Sequence, residues 1–233
     1  MARRKKSNRK YKKEEEVLVD IVEAREQAQD FFQKYSVPVV GGFLAIVFLV
    51  GGYFIWQNMV QEPREREAVE QMFQAELQFK VDSFAQALTN PGGGYPGFLD
   101  IVDAYGSTKA GNLAKYYAGI SYLRLGQYEA AIDYLQDFDA NDDVLPSMKF
   151  GALGDSYSEL GNFDNAITNY LKAAGGEKNE YTTPYFLMKC AMLYERNSQP
   201  DKALSKWEEI YADYPGSQQG QMAEKYINRL SGE

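Results

Sequence analysis

"FGALGDSYSELGNFDNAITNY", residues Phe150 to Tyr170, decides the fold. Aromatic and small residues recur in it at helical spacing: Phe150, Leu153-Gly154, Tyr157, then Phe163, Ala166 and Tyr170, with Gly161 between the two halves. The segment before it repeats the pattern with a shift of 35: Gly119, Tyr122, Gly126, Tyr128, Ala131 and Ile132 stand where Gly154, Tyr157, Gly161, Phe163, Ala166 and Ile167 stand. A third copy follows at a shift of 37, with Cys190, Ala191, Tyr194, Ala203 and Trp207, and Pro215 closes it. Each copy reads as two antiparallel helices. Small residues, Gly154 and Ala166 in the middle copy, are expected where the two helices nearly touch, and aromatics between neighbouring pairs. Gly126 and Gly161 are expected to end the first helix of their pairs, where a positive φ is needed.

This spacing resembles the tetratricopeptide (TPR) pattern, and a period in this range is the mark of stacked helical hairpins. The predicted fold class is therefore all-α: one transmembrane helix followed by a TPR-like α-solenoid. Within a domain at 98–233 the repeats fall at about 112–145, 147–180 and 184–216, with a capping helix over 217–231. "YGSTKAGNLAKYY", from Tyr105, resembles "YPGSQQGQMAEKYI", from Tyr214, so the flanks look like worn copies of the same unit.

Outward from the repeats, "VPVVGGFLAIVFLVGGYFIW" (residues 37 to 56) has no charge in a chain of mean hydropathy -0.48. At ~1.5 Å per residue it spans roughly 30 Å, the thickness of a bilayer's hydrocarbon core. It is apolar all round, unlike the helix of a soluble core. No small-residue cleavage site follows it, which argues for an anchor over 37–57 and against a removed export signal. Ten Lys or Arg precede Val37, eight within "MARRKKSNRKYKK", and only Arg64 and Arg66 lie in the twenty residues after Trp56. The positive-inside rule then puts residues 1–36 in the cytoplasm and the rest across the membrane. Those first residues read as a basic tail and an amphipathic helix over 14–35, the tail touching anionic lipid or, as the alternative, a nucleic-acid or ribosome surface. Between anchor and repeats, 58–97 reads as a connecting helix over 62–88 and a flexible Gly-rich joint, "NPGGGYPG". The helix's expected buried face is Val69, Met72, Phe73, Leu77, Val81, Phe84 and Leu88.

Composition excludes much chemistry. The chain has no histidine and one cysteine, which removes His-based triads, His zinc sites and an internal disulfide. Cys190 falls on a core position and reads as a buried thiol. From Gln57 onward, 15 Lys and Arg face 26 Asp and Glu, a net charge of -11, which argues against nucleic acid as a partner. "DFDAND" (137 to 142) opens like a calcium loop, but Asp142 stands where that loop needs Gly and Met148 where it needs Glu. The adjacent pairs Asp142-Asp143 and Glu208-Glu209 point apart on a helix and build no shared acid–base site. Neither a cofactor nor catalysis is expected.

In stacked hairpins the first helix of each pair lines the concave side. That places Tyr116, Ile120, Leu123, Arg124, Asp155, Glu159, Tyr185, Met192 and Arg196 on or near a partner-binding groove of mixed apolar and charged character. In the anchor, Gly41, Ala45 and Gly52 share a face small enough for another membrane helix to approach closely.

A cytoplasmic helix carrying "FFQKY", one membrane helix, and an exported repeat domain opening with "YGSTKAGNLAKYYAGISYL" together resemble the YfgM-like ancillary subunits of the bacterial Sec translocon. The resemblance runs over nearly the whole chain. It implies a non-enzymatic inner-membrane protein at SecYEG, working beside a membrane-anchored periplasmic chaperone of the prolyl-isomerase type on newly exported client proteins. The competing expectation is a cell-envelope assembly scaffold, of the Tol-Pal or outer-membrane biogenesis kind; the inner-membrane anchor and the lack of a lipoprotein cysteine weigh against it.

Overall fold

The computed structural model describes Arg25 and residues 37–38, 40–140, 145–176 and 178–232. Apart from Arg25, the expected basic tail and amphipathic helix lie outside the described residues, as do Asn141 and Asp142 of the acidic stretch and with them the pair Asp142-Asp143. Every regular element among the described residues is helical. The chain divides into two compact units, Met1–Val60 and Gln61–Glu233.

In the first unit the apolar stretch is helical. It belongs to a helix, Val40–Lys80, long and apolar enough to cross a membrane, with a π-helical turn at Gln57–Gln61. The large side chains of its apolar part meet no protein core: Phe48 is 78% and Leu49 73% exposed. Apolar surface of that extent is costly in water at ~25 cal/mol per Å² and costs nothing in lipid.

The second unit contains ten helices among the described residues: α1 (Glu62–Lys80), α2 (Phe84–Thr89), α3 (Phe98–Tyr105), α4 (Lys109–Arg124), α5 (Tyr128–Asp137), α6 (Leu145–Glu159), α7 (Phe163–Ala174), α8 (Thr182–Arg196), α9 (Pro200–Asp213) and α10 (Gln218–Ser231). α4/α5, α6/α7 and α8/α9 are three successive hairpins, and α10 packs on the last.

All three hairpins turn by the same backbone device. Gly126 and Gly161 both have φ +75°, and Ser198 takes the equivalent place at φ +57°. The next amide in each case, Gln127, Asn162 or Gln199, donates to the carbonyl of Tyr122, Tyr157 or Tyr194, five residues back, at 2.8–2.9 Å. These bonds satisfy carbonyls that the helix end would otherwise leave unpaired.

Both small residues of the middle hairpin are buried, Ala166 fully. A Cβ on Gly154 would lie 2.4 Å from the ring of Tyr170, one turn beyond Ala166 on α7. The glycine is needed there because an aromatic ring fills the space beside it.

The connecting helix also differs. The expected single helix over 62–88 breaks at residues 81–83, where Asp82 is left-handed (φ +58°) and Ser83 N–H donates to Gln78 O at 2.9 Å. The buried face of α1 is Ala68, Met72 and Ala75, while Val69, Phe73, Leu77 and Val81 are exposed. The reason is steric. α1 packs on α4, whose buried residues there include Ala110, Ala114 and Ala118, and the alanines Ala68 and Ala75 on its own side let the helices approach while Met72 fills the space between. Phe79 then meets the edges of Phe98 and Tyr117, and Phe98 stacks on Tyr117 with centroids 5.0 Å apart.

The two flanking segments that resemble one another in sequence do so in structure. Thr108 and Ser217 each cap their helix by accepting an N–H, from Gly111 and Gly220, and each donates its hydroxyl to a tyrosine carbonyl, of Tyr105 and Tyr214. At the far end Trp207 is fully buried and stacks on Tyr226 at 4.2 Å.

Candidate partner-binding groove

Repetition places the first helices of the three hairpins side by side, and their exposed faces line one concavity of about 750 Å³. α4 contributes Tyr116, Ile120, Leu123 and Arg124; α6 contributes Asp155 and Glu159; α8 contributes Tyr185 and Met192. Arg196 is not in the lining; its guanidinium lies over the ring of Phe163, 4.8 Å from the centroid. The structure thus brings eight of the nine expected residues around one space.

The wall holds further residues that the sequence reading passed over. Met148 is exposed on the first turns of α6. It stands 37 residues before Tyr185, the interval between the second and third copies, so the repeat itself signals it. Lys189 and Phe186 complete the α8 wall, four and one residues from Tyr185.

At the centre lies a polar network. Asp155 Oδ1 accepts the Tyr170 hydroxyl and the Lys189 ammonium, both at 2.5 Å. Lys189 Nζ also lies 5.3 Å and 5.2 Å from the ring centroids of Tyr170 and Tyr185. Burial and then Asp155 push the Tyr170 hydroxyl well above the usual tyrosine range. Burial works to lower Lys189, but its hydrogen bond and charge pairing with Asp155 outweigh that, and the net shift is upward. Both groups therefore keep their protons at neutral pH. The network is an inter-helix brace joining α6, α7 and α8, with its charges mutually satisfied.

Around this brace the wall is apolar and adaptable. Met148, Tyr185 and Met192 are 41%, 38% and 49% exposed. Methionine and tyrosine at such places suit contact with varied polypeptide surfaces. No set of three or more His, Cys, Asp or Glu side chains among the described residues is arranged to hold a metal. Cys190 is buried beside the carbonyl of Ile167, and burial pushes its thiol up to about 12, which removes it as a nucleophile at neutral pH.

In the first unit, Gly41, Ala45 and Gly52 are all exposed on the apolar helix, and a Cβ added at either glycine would meet nothing within 4 Å.

The fold is a TPR-like helical-repeat solenoid. Family models described as tetratricopeptide repeat match residues 113–141 and 150–175, the spans of two of the hairpins. The TPR repeat-containing protein MJ0940 of Methanocaldococcus jannaschii is 36% identical over 74 residues, 32% of this chain; that match spans 22% of the relative's length. Among solved structures, a MamA protein superposes with a TM-score of 0.55 at 16% identity, over 71% of this chain and 82% of that one. A Podosopora anserina putative kinesin light chain with nearly identical TPR-like repeats superposes with a TM-score of 0.56 at 12% identity, over 72% of this chain and 87% of that one. At these identities the likeness is one of fold. The matched family models describe a repeat and not a catalytic domain.

Proposed function

We propose that this chain is a non-enzymatic, membrane-anchored scaffold that holds protein partners in its TPR groove beside the SecYEG translocon. The observation that carries the reading is the pairing, in one chain, of a helix of membrane length with a concave wall of mixed apolar and charged side chains. In this reading the N-terminus is cytoplasmic and the repeat domain periplasmic. The face of Gly41, Ala45 and Gly52 docks against a membrane helix of the translocon. The groove faces exported client proteins and a membrane-anchored chaperone of the prolyl-isomerase type. The asymmetry of Lys and Arg on the two sides of the apolar helix supports that orientation.

Purification of the tagged full chain in mild detergent, followed by mass spectrometry, tests this. SecY and a membrane-anchored prolyl isomerase are the expected companions. Recovery of an outer-membrane assembly complex without SecY would move the protein to envelope assembly.

A further inference from the structure

Glu159 is badly placed for the stability of its own helix. It is the last residue of α6, at the negative end of the helix dipole, and the last turn of α6 holds no basic residue. The equivalent helices of the flanking hairpins, α4 and α8, end on Arg124 and Arg196, which suit that end. No cation among the described residues pairs with Glu159: Lys189 is held by Asp155, and Arg196 lies on Phe163. Yet Glu159 is exposed and lines the groove. A side chain that opposes its local structure without internal compensation marks a place shaped by something other than folding.

The surrounding field has the same sign. The unit from Gln61 onward carries 15 basic against 26 acidic residues, a net charge of -11. Between these charges the groove offers the apolar wall of Leu123, Met148, Tyr185 and Met192.

We infer that the occupant of the groove is a basic amphipathic polypeptide segment, its apolar side chains on the methionine and tyrosine wall and a Lys or Arg on Glu159. The inference rests on the reading of the groove as a protein-binding site. It adds the chemistry of the partner. Arg124 lines the same groove, but the carbonyl end of its helix partly offsets its charge, whereas the carbonyl end of α6 adds to that of Glu159; Lys189 is paired with Asp155.

Three fluorescent model peptides test it, with one amphipathic pattern of Leu and with Lys, Gln or Glu at the polar positions. They are titrated against the full chain in nanodiscs of zwitterionic lipid, with empty discs as reference. The expected order of affinity is Lys, then Gln, then Glu, with the Lys–Gln gap shrinking as salt rises from about 0.05 to 0.5 M. Glu159→Gln should weaken the Lys peptide by about threefold to fivefold, leave the Gln peptide unchanged, and not lower the Tm. Equal binding of the Lys and Gln peptides, or a Lys preference that survives Glu159→Gln, overturns the inference while the groove reading stands. Failure of all three to bind, or binding unchanged by Tyr185→Ala with Met192→Ala, overturns the groove reading itself.

Discussion

The carboxylate of Glu65 on α1 caps the first turn of α4: it accepts the backbone N–H of Lys109 at 2.6 Å and, through its other oxygen, that of Ala110 at 3.0 Å. Thr108, the residue before α4, satisfies a third amide, that of Gly111, at 3.0 Å. The first repeat helix thus draws part of its cap from a helix more than forty residues earlier. Gln61 and Arg64 add side-chain bonds to the carbonyls of Ser107 and Ala104. α1 is fastened to the repeats by polar contacts at its start and by the alanine-lined packing along its length.

Glu65→Ala is therefore expected to destabilise the repeat unit by about 1 kcal/mol, the usual cost of losing a helix cap. Hydrogen exchange should accelerate at the amides of Lys109 and Ala110 more than at Gly111, which keeps Thr108. Uniform acceleration through α4 would show that the cap is shared differently.

Gly154 is expected to resist even the smallest side chain. A methyl group there would press on a ring that cannot retreat, since Tyr170 is 3% exposed and its hydroxyl is held by Asp155. Overpacking of this kind costs ~1–3 kcal/mol, against a gain of ~1 kcal/mol from helix propensity. Gly154→Ala should lower the Tm, and in a Tyr170→Leu background the same substitution should raise it. A higher Tm in the native background would show that the ring is not the constraint.

Ser198 offers the opposite case. It holds the left-handed position that glycine holds in the other two hairpins. Ser198→Gly is expected to stabilise the unit by ~0.5–1 kcal/mol, because the strain at the turn outweighs the added freedom of the unfolded chain. Gly126→Ser and Gly161→Ser should cost a similar amount. Denaturant melts of the three variants check both signs.

Much of this was legible in the sequence, for an identifiable reason. The spacing of Gly126 and Gly161 and of the tyrosines four residues before them reports a hairpin turn directly, since few residues accept that backbone conformation. The groove followed from the same register: once Gly154 is aligned with Gly119 and Ala191, Tyr116, Asp155 and Met192 fall on the helices that line it. Three features were not legible. The expected buried face of the connecting helix holds at Met72 and Leu88 and fails at Val69, Phe73 and Leu77, a conspicuous apolar row beside the Ala68, Met72 and Ala75 row that packs; periodicity gives the spacing of a face but not which of two adjacent faces finds a partner. The break at Asp82 carries no Gly or Pro to announce it. The stacking of Arg196 on Phe163 depends on a side-chain choice between groove and ring, which register does not determine.

Cys190 gives a pH prediction with a definite sign. Burial raises the folded-state thiol from 9.0 to about 12, so the folded protein favours the neutral form. Stability from this group is complete below pH 9, where the thiol is protonated in both states. It declines as pH rises toward 12, because the unfolded chain ionises first. Between pH 9 and 11 the stability of the parent protein should fall more steeply than that of Cys190→Ala, which loses the titration although it leaves a small cavity. A thiol reagent at pH 8 should label the parent only at the rate of opening, and rapid native-state labelling would refute the burial.

If the chain works as proposed, docking at the translocon by its apolar helix and partner binding by its groove should be separable by substitution. Gly41→Leu with Gly52→Leu fills the small face of the apolar helix, where a Cβ at either glycine has no atom from another element within 4 Å. The repeat unit should therefore keep its Tm, while co-purification of translocon subunits should be lost if that face docks a membrane helix at close range. Tyr116→Ala with Met192→Ala strips the groove and leaves the membrane helix untouched. Translocon association should persist in this variant, and crosslinking to the soluble partner or client should weaken, with losses of ~2 kcal/mol or more where a true anchor residue is removed. Because Tyr116 is half-buried against Phe138, Met192→Ala alone is the control: Met192 is 49% exposed, so its truncation should reduce crosslinking without moving the Tm. The reverse pattern, in which groove variants lose the translocon and helix variants keep it, would assign translocon docking to the repeats and leave the membrane helix as a tether.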